Sequence, residues 1–155
     1  MTDTSLSDVL DTAIQREREA YRFYTDLKAR VQENSAREAI AFIAAEERRH
    51  EAFLLDYKAG KLGPGGLQMR QAIQYKVAEY LEEPEIVEDM SSADVFLVAA
   101  HRESRSNMFY AELAALHEDG DLREMLLKMA NEELKHKEKM EYLYANTAFP
   151  QTDGG

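Results

Sequence analysis

The chain contains no cysteine. That one absence excludes a disulfide scaffold, a zinc ribbon, an iron–sulfur cluster, a rubredoxin-type iron site and a thiol nucleophile. Proline occurs only at 64, 84 and 150, and there are seven glycines in 155 residues. Long stretches therefore run without a breaker, which favours helices over a sheet that would need many turns. No segment approaches the ~18 consecutive apolar residues of a membrane span. Residues 1–11 lack the basic start and apolar run of a signal peptide, so a cytoplasmic location is expected. Basic residues are also scarce, 19 against 30 acidic ones, for a net charge of −11. Such a surface repels nucleic-acid backbones and anionic membranes, and it attracts cations. With 45% hydrophobic residues, a folded domain with a real core is expected.

Four segments carry apolar residues at three-to-four spacing. They run from Leu6 to about Gln32, from Ala36 to Tyr57, from Val95 to Leu116 and from Leu122 to about Tyr144. Short polar residues stand three before an acid at Ser5/Asp8, Ser35/Glu38, Ser91/Asp94 and Asp121/Glu124, the pattern of a reciprocal helix cap. Breaks near Glu33-Asn34 and Asp119-Gly120 make two helix hairpins, 5–58 and 91–145. Between them, residues 59–90 open on Gly60, Gly63, Pro64, Gly65 and Gly66. Apolar residues from Met69 to Leu81 then repeat at helical spacing. This reads as a crossover with its own short helix, about 25 Å long over 67–83 and able to travel the length of a bundle. Residues 146–155 read as a loose tail.

The hairpins are copies of each other. A shift of 86 aligns 5–58 with 91–144 without a gap, and 16 of the 54 positions are identical. Unrelated helices agree at roughly one position in fifteen, so the chain is read as an internal duplication. The repeated residues include polar ones on the apolar stripe: Glu17/Glu103, Glu46/Glu132, Glu47/Glu133 and His50/His136. Glu47-x-x-His50 and Glu133-x-x-His136 each place a carboxylate and an imidazole on one helix face. Alone this pattern is weak, because Glu fills 20 of 155 positions. The hairpin geometry strengthens it. Glu17 and His50 are equidistant from the first turn, at about 25 Å, and Glu103 and His136 from the second. Four carboxylates and two imidazoles thus reach one level of the bundle interior, where bare charge is costly. Two divalent cations would balance the four negative charges, and iron or manganese suits such a donor set.

Glu17, Phe23, Tyr24, Glu47, His50, Glu103, Phe109, Tyr110, Glu133 and His136 together resemble the ferritin-like di-iron carboxylate superfamily. The closer resemblance is to its rubrerythrin-like branch, over residues 5–145. The resemblance implies an all-α ferritin-like four-helix bundle over 1–145, holding two irons, with manganese or zinc as alternatives. It implies terminal ligands Glu17 and Glu103, bridging Glu47 and Glu133, and His50 and His136 on separate metals. It further implies reduction of hydrogen peroxide or dioxygen, with electrons from an external donor such as a rubredoxin-like protein. The alternative is oxidation of ferrous iron for storage or delivery. A third reading is a metal that only staples the bundle. The chain lacks the four-cysteine rubredoxin domain of typical members, and Ser106 stands where many carry an extra glutamate, so the site looks symmetric, as in bacterioferritin-type centres.

Tyr24 and Tyr110, two turns past Glu17 and Glu103, are expected to hydrogen-bond ligand carboxylates. Glu46 and Glu132 are candidates to accept from the Nδ1–H groups of the ligand histidines. His101 and His117 read as surface residues, and Met108, Met125, Met129 and Met140 as core filling. A homodimer is expected, and a domain swap would also use the long crossover.

Overall fold

The computed structural model describes residues 6–60, 78 and 81–148. Four helices account for most of them: α1 (Leu6–Ala29), α2 (Asn34–Lys58), α3 (Ser92–Ala115) and α4 (Asp121–Ala148). The expected hairpins and turns are present, so the architecture is an all-α four-helix bundle. Helix α4 continues to Ala148, three residues into the stretch read as a tail. The expected crossover helix lies almost wholly outside the described residues. Ala78 alone is described there; it is helical and buried, and its N–H donates to Glu141 Oε2 of α4 at 2.8 Å.

One capping expectation holds and two change. Ser91 accepts from the amide of Asp94 at 3.1 Å, as the cap pattern requires. Helix α2 begins one residue before Ser35, at Asn34, so Ser35 lies inside the first turn. Its hydroxyl donates to Glu33 instead, and Ser92 donates to the other oxygen of the same carboxylate at 2.9 Å. Asp121 likewise stands inside α4, which follows Gly120 at φ 155°, a conformation that favours glycine. Ser5 lies outside the described residues.

Side-chain contacts define how the hairpins dock. Helix α1 runs antiparallel to α3, with Tyr24 against Glu103 and Glu17 against Tyr110. Helix α2 runs antiparallel to α4, with His50 against Glu133 and His136 against Glu47. The chain enters α3 beside the first turn, where Met90 N–H donates to Arg30 O at 2.8 Å and Met90 forms a parallel bridge with Val31. Helix α2 ends at the other extremity, where Lys58 pairs with Asp11 of α1. The end of α2 and the start of α3 thus lie at opposite ends of the bundle.

The core has two parts. Leu27, Val31, Ile40, Ile43, Val95 and Phe96 belong to one cluster near the first turn. Val9, Leu10, Ile14, Leu54, Leu126 and Met129 belong to the other, toward the opposite end. Burial of these side chains at about 1.5–3 kcal/mol each supplies the stability that lets a polar layer persist between them. Met125, Met129 and Met140 are buried as expected, but Met108 is 54% exposed and fills no core. Among the described residues no helix is long and apolar enough to cross a membrane.

Candidate metal centre

The six residues selected by the repeat meet in the layer between the two clusters. Glu17, Glu47, Glu103 and Glu133 are each at most 2% exposed, and His50 and His136 are at most 5% exposed. The imidazoles stack with ring centroids 5.4 Å apart and planes 12° from parallel. His50 Nδ1 lies 3.0 Å from Glu133 and 3.7 Å from Glu17. Its repeat partner mirrors this: His136 Nδ1 lies 3.1 Å from Glu47 and 3.6 Å from Glu103. Each histidine thus faces the terminal carboxylate of its own hairpin and a carboxylate from the other.

Two donor sets emerge, each with its ligand atoms within 4.8 Å of one another: Glu17, Glu47, His50 and Glu133, and Glu47, Glu103, Glu133 and His136. They share Glu47 and Glu133. Beyond these two shared carboxylates, each set has one histidine and one further glutamate of its own. Glu17 Oε2, Glu47 Oε1, Glu103 Oε2, Glu133 Oε2 and His136 Nδ1 are buried and have no hydrogen-bond partner. Buried polar atoms are rarely left so, and oxygen and imidazole donors converging in this number fit divalent iron or manganese.

The tyrosines complete the layer. Tyr110 donates to Glu17 Oε1 at 2.6 Å and Tyr24 to Glu103 Oε1 at 3.0 Å. Both contacts cross between hairpins, because a tyrosine's own glutamate is about 10 Å away along the helix. Burial, with Glu103 beside Tyr24 and Glu17 beside Tyr110, raises both phenols well above their usual range, so they act as donors. Each ring belongs to a different core cluster and presents only its hydroxyl to the layer.

In the metal-free chain the six groups share too few protons. Burial and the neighbouring Glu103 and Glu133 push Glu47 well above the carboxylate range, and burial and Glu133 do the same to Glu103. Burial opposes charge on Glu133, but hydrogen bonds with Glu103 and His50 outweigh it and hold the carboxyl at about 2. Burial also opposes charge on His50, yet Glu133 and Glu17 raise it to about 10. His136 is lowered by burial to about 4. One histidine is thus an imidazolium paired with a carboxylate, while its twin is neutral.

Glu46 and Glu132 do not accept from Nδ1, because both Nδ1 atoms face the carboxylate layer. Glu46 lies within 4.8 Å of imidazole nitrogens of His50 and His136 and pairs with Arg49, and Glu132 pairs with Lys135 at 3.0 Å. His101 is half-buried, its Nε2 2.8 Å from Leu81 O. Two features were not read from the sequence. Arg16 lies over the Phe109 ring at 4.2 Å and Arg102 over Phe23 at 4.5 Å, bracing α1 against α3. All four residues recur at the 86-residue shift, so the signal was present. The buried Lys137–Glu141 pair, at 3.3 Å, has no counterpart in the first repeat, where Glu51 and Leu55 stand.

Fold and layer together define a ferritin-like bundle whose buried carboxylate–imidazole groups can hold metal. The rubrerythrin family model matches residues 1–58, the hairpin that supplies Glu17, Glu47 and His50. No curated protein and no solved structure matches the chain. The second hairpin repeats the first at 16 of 54 positions.

Proposed function

We propose that the chain is a non-haem di-iron oxidoreductase of rubrerythrin-like type, reducing hydrogen peroxide or dioxygen with electrons from an external donor. The observation that carries this reading is the pair of donor sets overlapping at Glu47 and Glu133. When bound, two irons would supply two electrons for cleavage of an O–O bond, and two protons complete the reduction of peroxide to water. Glu47 and Glu133 would bridge, Glu17 with His50 would hold one ion, and Glu103 with His136 the other. Tyr24 and Tyr110 orient the terminal carboxylates by donating to one oxygen each, which leaves the second oxygen for a cation. The two apolar clusters keep water from the layer on both sides. A separate donor such as a rubredoxin-like protein would deliver the electrons. The protein is proposed to act as a cytoplasmic homodimer.

A second reading, ferrous iron oxidation for storage or delivery, is favoured by the symmetry of the ligand set and by Ser106, buried where an additional glutamate would break it. Anaerobic ferrous titration followed by peroxide, then dioxygen, tests both. Rapid oxidation by peroxide with catalytic turnover on adding a reductant supports the first. Oxidation by dioxygen without turnover, in an assembly far larger than a dimer, supports the second. A chain that binds no ferrous iron sinks both.

A further inference from the structure

We propose that the face where α1 meets α3 carries a binding site for a small oxyanion, a carboxylate or phosphate group, held by Arg16 and Arg102, with Arg105 at its edge. These residues line a surface cavity of about 330 Å³ together with Met108, Phe109 and Glu112. That volume lies at the lower end of small-molecule sites.

The state of the arginines is the argument. On a chain with 30 acidic residues, guanidinium groups readily find carboxylates, as Arg18 does with Glu51, Arg30 with Asp26 and Arg123 with Asp119. Arg16 and Arg102 do not. Each lies over an aromatic ring from the opposing helix, and among the described residues neither has an ion-pair partner. Stacking occupies the flat face of a guanidinium and leaves its N–H edge free to donate. Arg102 Nε is moreover buried with no acceptor. Arg105 closes the cavity from the next turn of α3, its guanidinium positioned by Glu83 at 2.8 and 3.1 Å.

Guanidinium forks match the planar, bidentate edge of a carboxylate or phosphate, and such charge-assisted bonds are the strong ones. The exposed thioether of Met108 and the Phe109 ring offer an apolar wall for whatever carries the anion. Among the described residues Glu112 is the one acid in the lining, and it weakens the site without neutralising it. The site is independent of the metal reading, since none of its residues belongs to the two donor sets.

Calorimetric titration of the full chain with inorganic phosphate and with citrate, at low ionic strength, tests the proposal. One equivalent of either anion should bind, and Arg16→Gln should weaken it about tenfold. Arg102→Gln should do the same, provided circular dichroism shows an intact bundle. Glu112→Gln should act in the opposite direction and tighten binding. The Glu47→Gln/Glu133→Gln variant should bind the anion unchanged, which separates this site from the metals. Binding that is absent, that ignores all three cavity variants, or that disappears in the Glu47/Glu133 variant would overturn the proposal.

Discussion

His50 and His136, 86 residues apart in sequence, stack nearly parallel at the centre of the bundle, ring centroids 5.4 Å apart. Each belongs to a different hairpin, and each turns its Nδ1 toward a glutamate of the other hairpin, Glu133 or Glu47. The approximate twofold relating the halves therefore passes between the two rings, and both donor sets follow from one motif used twice.

Two metal ions per chain are expected in the purified protein. Replacing Glu47 and Glu133 together with Gln removes the two shared carboxylates, and elemental analysis should then find fewer than one ion per chain. An unchanged metal content would rule out the bridging assignment.

The metal-free protein should lose stability as pH rises above neutrality. His50, raised to about 10, contributes stability that is complete below about 6.5 and is lost as pH climbs toward 10. Glu47, raised by burial and the charges of Glu103 and Glu133, and Glu103, raised by burial and Glu133, change in the same direction, losing their contribution as pH rises through their folded pKa values. On the acid side, His136 loses its contribution from about 6.5 down toward 4, and Glu133 loses its own from about 4.5 toward 2. His50 alone should cost roughly 3 kcal/mol between pH 6.5 and 9. Metal requires deprotonated ligands, so the loaded form should instead gain stability from pH 5 to 7. Thermal unfolding of both forms across this range reads the two slopes. A metal-free protein equally stable at pH 6.5 and 9 would show that the carboxylates do not converge.

Tyr24→Phe and Tyr110→Phe each remove one hydroxyl and leave a buried carboxylate oxygen without its donor. Each should cost about 1–3 kcal/mol in the metal-free protein. Metal affinity should fall by roughly 10- to 100-fold in each variant, because the terminal glutamate is no longer oriented. Competition with a chromophoric chelator measures it. Unaltered affinity in both variants would reduce the tyrosines to core packing.

Lys137 and Glu141 are buried at 1% and 0% exposure, and Glu141 also accepts from the Ala78 amide. Lys137→Met leaves an uncompensated carboxylate in the interior and should destabilise by about 3–5 kcal/mol. The double variant Lys137→Met/Glu141→Gln keeps an acceptor for Ala78 and should recover most of that loss. Chemical denaturation of the two variants decides, and equal stability would remove the pair from the energetics.

The fold and the ligands were legible because both rest on periodicity. Helical spacing, two turn signals and a repeated Glu-x-x-His are enough to place all six donors at one level. Helix starts were less legible. Glu33 draws the hydroxyls of Ser35 and Ser92, a tertiary contact that overrides the local cap pattern at α2. The imidazole orientation was misread, since spacing along α2 and α4 says which residues face inward but not which ring nitrogen leads. Met108 was read as core because its residue type is apolar, although it sits on the rim of the arginine cavity. Lys137–Glu141 had no sequence signal, since a lysine within a charged helix ordinarily points to water.

The exchange of tyrosines between hairpins has a consequence for how the chain is made. Every contact that completes the layer joins residues far apart in sequence: Tyr24 with Glu103, Glu17 with Tyr110, Glu47 with His136. During synthesis the first hairpin emerges with three of the six donors, and neither shared carboxylate can find its counterpart until α4 has left the ribosome. Such non-local closure is the slow part of folding. The carboxylate–imidazole layer is therefore completed late, and its closure marks a finished molecule.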